Sequence, residues 1–198
     1  MNDEIVHQLY SINEIRDMIE NEDYFLEFYR TETASFETNS NPKIASYLKE
    51  KALKQNDENN VRTYLIIDTP ELKIIGYFCI KVINIEFDSN VSNKTKKKIS
   101  SSAAKNNSFP ALLITKLARN DNYKGIVDGN VIMEYALSIG QELFNKLALR
   151  HICVDWFENE KLKTYYCDEC GFEEYQVIKK KDLDGSDVNL VSAFYKYS

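Results

Sequence analysis

The stretch FPALLITKLARNDNYKGIVDGN, running from Phe109 to Asn130, joins a strand pattern, a glycine-containing turn and a helix start. Leu112 to Ala118 is apolar apart from Thr115 and Lys116, the pattern of a strand buried over much of its surface. Asn120 to Asn122 ends that strand, and Gly125 and Gly129 bracket a short loop. From Asn130 to about Leu147 the spacing is helical, with Val131, Tyr135, Ile139, Leu143 and Leu147 on one stripe. A loop of this kind turns backbone N–H groups and the positive end of a helix dipole towards whatever lies above it, which favours a phosphate-bearing ligand. The two glycines by themselves fit an ordinary strand-to-helix connection equally well.

Upstream of this stretch, Ile5 to Tyr10 reads as a first strand, and Ser11 with Glu14 forms a capping box that opens a helix through Ile12, Ile15, Met18 and Ile19. Tyr24 to Asn41 fits neither period well, and DYFLEFYR reads as strand or helical turn. Asn41 and Pro42 start a further helix with Ile44, Ala45, Leu48 and Ala52 on one face. Arg62 to Asp68 and Ile74 to Phe87 are two strands joined by TPELK, a hairpin in an antiparallel meander. Asp88 to Ser108 is poor in apolar residues and reads as a mobile or functional excursion with at most one short basic helix near Asn93 to Ser101.

Downstream, His151 to Phe157 is the next strand, and a helix starts at Asn159 and stops before Gly171. Phe172 to Ile178 and Asn189 to Tyr197 form two closing strands that turn around Asp184 and Gly185. The order predicts a single α/β (α+β) domain: a mixed, mostly antiparallel sheet of six or seven strands with helices on both faces.

Composition narrows the function classes. At 198 residues the chain suffices for one sizeable domain, with 13 tyrosines and 10 phenylalanines supplying much of the core volume. A formal net charge of −6 argues against general attraction to nucleic acid or anionic membrane. Local basic clusters stand at Lys94, Lys96, Lys97 and Lys98 and again at Lys179 to Lys181, and such runs are most often solvated surface. No apolar run approaches the roughly 20 residues that span a bilayer, and MNDEIVHQLY lacks the features of a signal peptide, so the expected location is cytoplasmic, without a membrane partner.

Cys167 and Cys170, spaced C-x-x-C before Gly171, look like half of a zinc ribbon, but a structural zinc site takes four ligands. The other candidates, Cys79, Cys153, His7 and His151, are isolated in sequence, and both cysteines among them sit in apolar strand patterns. The expectation is free thiols and no metal. A zinc-linked nucleic-acid module, resting on Cys167, Cys170 and the lysine clusters, is a third reading.

With its elements in this order the chain resembles the GNAT family of acetyl-CoA-dependent N-acetyltransferases. LARNDNYKGIVDG resembles the family's strand-four signature L-A-V-D-x-x-Y-Q-G-x-G-x-G, and NEKLKTYYCDECGF resembles its N-x-x-A-x-x-F-Y-E-x-x-G-F. VRTYLIID with KIIGYFCIKV looks like the second and third strands. The order of YLKEKALKQNDENNVRTYLIID, the basic excursion and FPALLITKLARN is similar to acetyltransferases of toxin–antitoxin type, which act on aminoacyl-tRNA.

The resemblance implies a 1–198 domain with 1–61 on the substrate side and 62–198 as the acetyl-CoA-binding core. It implies that backbone groups of Leu117 and Arg119 pair with the pantetheine arm, and that the amides of Gly125, Ile126, Val127, Asp128, Gly129 and Asn130 hold the coenzyme A pyrophosphate. Lys124 takes the usual Gln or Arg position, and Asn159 contacts the cofactor arm. Tyr166 is the implied general acid that protonates the departing thiolate, with Tyr165 and Cys167 as competitors because the spacing to Gly-Phe is one residue longer than usual. Glu86, Asp155, Glu158 or a water are the candidate bases.

The implied reaction is direct attack of a primary amine on acetyl-CoA in a ternary complex, by a monomer or homodimer. The acceptor is a small or macromolecular amine, with tRNA the one nucleic acid in play. A non-catalytic coenzyme A- or partner-binding module on the same fold is the alternative, because Val127 replaces a family glycine and Asp128 brings a carboxylate to the loop. A β-branched residue is poorly suited to positive φ, which predicts a reshaped loop.

Overall fold

The computed structural model describes residues 5–181 and 185–198. The first strand, β1 (His7–Ser11), starts two residues later than its sequence pattern and passes into α1 (Ile12–Ile19). The capping box forms as expected: Glu14 N–H donates to Ser11 Oγ at 3.2 Å, and Ser11 N–H donates to Glu14 Oε2 at 2.6 Å. The ambiguous segment is a helix, α2 (Glu22–Ala34), capped by Asn21, whose side chain accepts from Tyr24 N–H. Phe25, Tyr29 and Thr33 recur at spacing four on its buried face, which also takes in Glu32, paired with Lys73 at 2.9 Å.

Helix α3 (Pro42–Tyr47) continues through a π-helical stretch, Leu48–Ala52, into α4 (Leu53–Asp57). Two buried tyrosines find acceptors along it, Tyr29 on the Leu48 carbonyl at 2.6 Å and Tyr77 on the Ile44 carbonyl at 2.7 Å. Each phenol thereby enters the core with its hydroxyl satisfied. The hairpin follows as β2 (Arg62–Asp68) and β3 (Lys73–Glu86), with a bulge between Ile66 and Ile67.

The excursion differs from its expectation. It contains two helices, α5 (Asn93–Ile99) and α6 (Ser101–Asn106), separated by Ser100, an extended residue that caps the second. Val91, Ile99 and Ala103 are buried, so widely spaced apolar residues suffice to anchor it. The remaining elements are β4 (Ser108–Arg119), α7 (Asn130–Leu147), β5 (His151–Phe157), α8 (Glu160–Lys163) with a π-helical turn at Thr164–Glu169, β6 (Glu173–Lys181) and β7 (Asp187–Lys196). Of the closing turn, Asp184 lies outside the described residues, and Gly185 takes a φ of +83° that suits glycine.

The seven strands form one sheet in the order β1-β2-β3-β4-β5-β7-β6. It is mixed: β4 and β5 run parallel at Leu112 to Ile114, whereas β1–β2, β2–β3, β5–β7 and β6–β7 are antiparallel. The residues cluster into two compact units, one comprising the chain through Lys81 with Thr115–Ala136, the other Val82–Ile114 with Leu137–Ser198. In the first, Ile12, Phe25, Phe36, Leu48, Leu65, Tyr77 and Ala118 share a core. In the second, Phe87, Ile99, Phe109, Cys153, Tyr175 and Phe194 share another. Among the described residues no helix is long and apolar enough to cross a membrane.

Candidate active site

In the first unit, the end of β4 is fixed by Asn120, which is 3% exposed. Its backbone N–H donates to the Ile75 carbonyl at 2.7 Å and its side-chain amide to the Ile74 carbonyl at 3.0 Å. Its Oδ1 accepts from the backbone of Glu37 at 3.3 Å and Asn122 at 3.2 Å. One buried side chain thus ties β3, β4 and the segment after α2 together, which accounts for a polar residue closing an apolar strand. A short 3₁₀ turn at Asp121–Tyr123 follows, with Asp121 Oδ2 accepting from Asn39 N–H and the Tyr123 hydroxyl donating to Asp68 Oδ2 at 3.1 Å.

The glycine loop grows from this anchored turn. The amides of Ile126 and Val127 both donate to the Tyr123 carbonyl, at 3.1 and 3.0 Å, and Asn130 N–H donates to Asp128 Oδ1 at 2.9 Å. Asp128 therefore folds its carboxylate back on the start of α7. The N–H groups of Asp128 and Gly129 have no acceptor among the described residues, whereas those of Ile126, Val127 and Asn130 are engaged within the loop. Within the loop only Gly125 takes positive φ, at +80°, with open space where a Cβ would stand. Val127 does not; it is buried, and the concern over a β-branched residue at positive φ does not arise.

A group that sequence reasoning passed over is the side chain of Arg119. Its Nη1 donates to the Val127 carbonyl at 2.8 Å, and its guanidinium lies beside Gly129. The chain thus holds a positive charge under the loop, where the family pattern has a hydrophobic residue, and that departure from the pattern was the available signal. Lys124 and Ile126 are exposed at the loop surface, and Leu117 is half-buried on β4. At the other end of the loop, Gly76 on β3 lets Ile132, in the first turn of α7, pack against the strand: a Cβ at residue 76 would collide with the Ile132 side chain. The loop residues fit a phosphate-bearing group through two outward amides, a nearby guanidinium and a glycine without a side chain in the way.

In the second unit, Asn159 caps α8, its Oδ1 accepting from Lys161 N–H at 2.9 Å and Leu162 N–H at 3.2 Å. The following π-helical turn absorbs the extra residue before Gly171 and carries Tyr165, Tyr166 and Cys167 on its wall. Tyr166 is half-buried against Trp156, with ring centroids 5.1 Å apart, and edge-on to Phe172 at 6.1 Å. Burial pushes its phenol up to about 12, so it keeps its proton through the neutral range. Its hydroxyl has no hydrogen-bond partner among the described residues. Tyr165 differs: burial first, then the neighbouring Cys170, raise its phenol pKa further above the ordinary value. Cys167 lies 3.9 Å from Glu174 Oε1, with its thiol pKa raised by burial and by that carboxylate. Tyr166 thus presents a protonated hydroxyl that no described group engages.

The candidate bases Glu86, Asp155 and Glu158 are all exposed, and Glu158 accepts from the Asn189 side chain at 2.8 Å. Cys79 and Cys153 are buried core thiols. Among the described residues no group of three or more His, Cys, Asp or Glu side chains is arranged to hold a metal.

No protein-family model and no curated protein matches the sequence. Solved structures do. AtaT complexed with acetyl-methionyl-tRNAfMet is 16% identical, over 96% of this chain and 95% of that one, at a TM-score of 0.67. The chain has the GNAT fold. A tyrosine-to-phenylalanine mutant of KacT, 18% identical over 96% of this chain and 94% of that one, superposes with a TM-score of 0.66. A tyrosine-to-phenylalanine mutant of the AtaT toxin, bound to the C-terminus of the antitoxin AtaR and acetyl-CoA, is 14% identical over 98% and 94% of the two chains, with a TM-score of 0.61. The likeness to these GNAT-fold chains runs nearly end to end.

Proposed function

We propose that this chain is an acetyl-CoA-dependent N-acetyltransferase whose acceptor is the amino group of an aminoacyl-tRNA. The observation that carries the reading is the end-to-end likeness to AtaT in complex with acetyl-methionyl-tRNAfMet, in a chain whose Tyr166 phenol is protonated and unengaged. Acetyl-CoA supplies the activated thioester. The N–H groups of Asp128 and Gly129, with Arg119 beside them, take the pyrophosphate, while Leu117 and Arg119 pair through their backbones with the pantetheine arm. Asn159, whose Oδ1 caps α8, is the further cofactor contact that the family resemblance implies.

The deprotonated amine attacks the thioester carbonyl carbon, the carbon–sulfur bond breaks, and Tyr166 gives its proton to the departing sulfur. Water takes the proton lost by the amine. The overall charge of −6 is offset locally by exposed Lys94, Lys97, Lys179 and Lys180, a surface on which a phosphate backbone can rest. A small antitoxin protein is the proposed protein partner, by the same likeness to AtaT. Isothermal titration with acetyl-CoA tests the first step: saturable binding is expected, and no heat at millimolar cofactor would sink the reading.

A further inference from the structure

Lys116 stands apart from the other lysines of this chain. Only Lys96 and Lys116 are half-buried; every other lysine is exposed. Lys96 donates to the side-chain oxygen of Asn107 at 2.6 Å. Lys116, in the middle of β4, has no carboxylate within ion-pair distance among the described residues. Its ammonium lies 4.8 Å from the centre of the Tyr47 ring and donates to the carbonyl of its own neighbour, Thr115, at 3.0 Å. An ammonium has three donors and a full charge, so this arrangement leaves donor capacity and charge unanswered.

The groups around it do not answer them. The Cys79 thiol and the Tyr47 phenol are both pushed up to about 12 by burial, so both are neutral at physiological pH. Tyr29 and Tyr77, in the same core, are engaged elsewhere: they donate their hydroxyls to the carbonyls of Leu48 and Ile44. A half-buried cation set against a neutral phenol ring and a neutral thiol is a place suited to an anion from outside the chain.

Direction follows from strand geometry. Side chains alternate along β4, so Lys116 shares a face with Ala118, which packs in the core beneath α1, α2 and α3, and not with Leu117 and Arg119. It therefore points to the side of the N-terminal helices and away from the loop side chain of Arg119. We propose that Lys116, seated on Tyr47, holds a phosphodiester oxygen of the acceptor. This rests on the acetyltransferase reading above and adds the residue that selects acceptors bearing a phosphate.

The test is steady-state kinetics of the full chain and its Lys116→Met, Lys116→Arg and Tyr47→Leu variants. Two acceptors are compared: methionyl-tRNA, and a methionyl ester of adenosine that carries no phosphate. Lys116→Met is expected to raise KM for methionyl-tRNA about tenfold or more, the order expected when one partner of a desolvated charge pair is removed. Lys116→Arg should restore most of that loss, Tyr47→Leu should show part of it, and KM for the phosphate-free ester should stay unchanged, as should acetyl-CoA affinity by titration. Equal losses with both acceptors, or weakened acetyl-CoA binding, would overturn the assignment. So would a Lys116→Met variant that acetylates methionyl-tRNA as the wild type does, and in that case the acetyltransferase reading stands. A wild-type chain that acetylates neither acceptor overturns both.

Discussion

The Arg119 guanidinium donates a 2.8 Å hydrogen bond to the Val127 carbonyl, so the last residue of β4 reaches across the glycine loop and fixes its buried corner. Hydrogen bonds from a charged donor contribute about 1.5–3 kcal/mol, and here the same group also sets positive charge beside the outward amides. Arg119→Met is therefore expected to weaken acetyl-CoA binding by roughly tenfold or more, read by titration calorimetry, and to lower stability by about 1.5–3 kcal/mol through the lost loop hydrogen bond. Unaltered affinity would remove the Arg119 side chain from the cofactor site.

Asn120 is expected to matter for stability more than for chemistry. It is buried and exchanges hydrogen bonds with Ile74, Ile75, Glu37 and Asn122. Asn120→Ala strands several of those groups, at a cost of roughly 2–4 kcal/mol, which urea denaturation measures as a lower midpoint. A midpoint within error of the wild type would show that the loop anchor lies elsewhere.

How far the sequence led depends on what each residue's partner was. Strand β2 falls on the residues its apolar run predicts, and the Ser11–Glu14 box forms because both partners lie within one turn. Helix α2 was ambiguous because DYFLEFYR places aromatics at spacings that suit a strand as well as a helix, and only burial of Phe25 and Tyr29 decides between them. The excursion looked mobile because its anchors, Val91, Ile99 and Ala103, are few and far apart. In the loop, the shape around Val127 depends on Tyr123 and on the Arg119 side chain, and pairings of that kind leave no periodic trace.

Tyr165 and Tyr166 are adjacent yet expected to respond differently. Tyr166→Phe should lower kcat by about a hundredfold or more, the range for loss of a general acid, while acetyl-CoA affinity is retained. Tyr165→Phe loses the contact to Cys170 and should leave most of the turnover. Because burial pushes the Tyr166 phenol up to about 12, its proton is present throughout the neutral and mildly alkaline range. The kcat profile of the wild type should accordingly show no fall from this group below about pH 11. A fall centred near pH 10 that vanishes in Tyr166→Phe would contradict that environment.

His151 provides an acid-side test of the second unit. It is 4% exposed, set edge-on to Phe109 and Phe194, and its Nε2 lies 3.3 Å from the Ile99 carbonyl. Burial lowers its pKa from 6.5 to about 4. The unfolded chain then binds the proton more readily than the folded one, so its contribution is fully present above pH 6.5 and is lost as pH falls from 6.5 towards 4. Calorimetric melting from pH 7.5 to 4.5 should show a steeper fall for the wild type than for His151→Gln. Parallel slopes would mean that His151 does not titrate across the transition.

The most direct measurement of the central claim is acetyl transfer itself: labelled acetyl-CoA, a pool of charged tRNAs, and the wild-type chain beside Tyr166→Phe. The account predicts label on the amino group of aminoacyl-tRNA with the wild type, and at least a hundredfold less with a Tyr166→Phe variant that still binds acetyl-CoA. Binding of acetyl-CoA without transfer to any charged tRNA would contradict the acceptor, and equal transfer by both proteins would contradict the role of Tyr166.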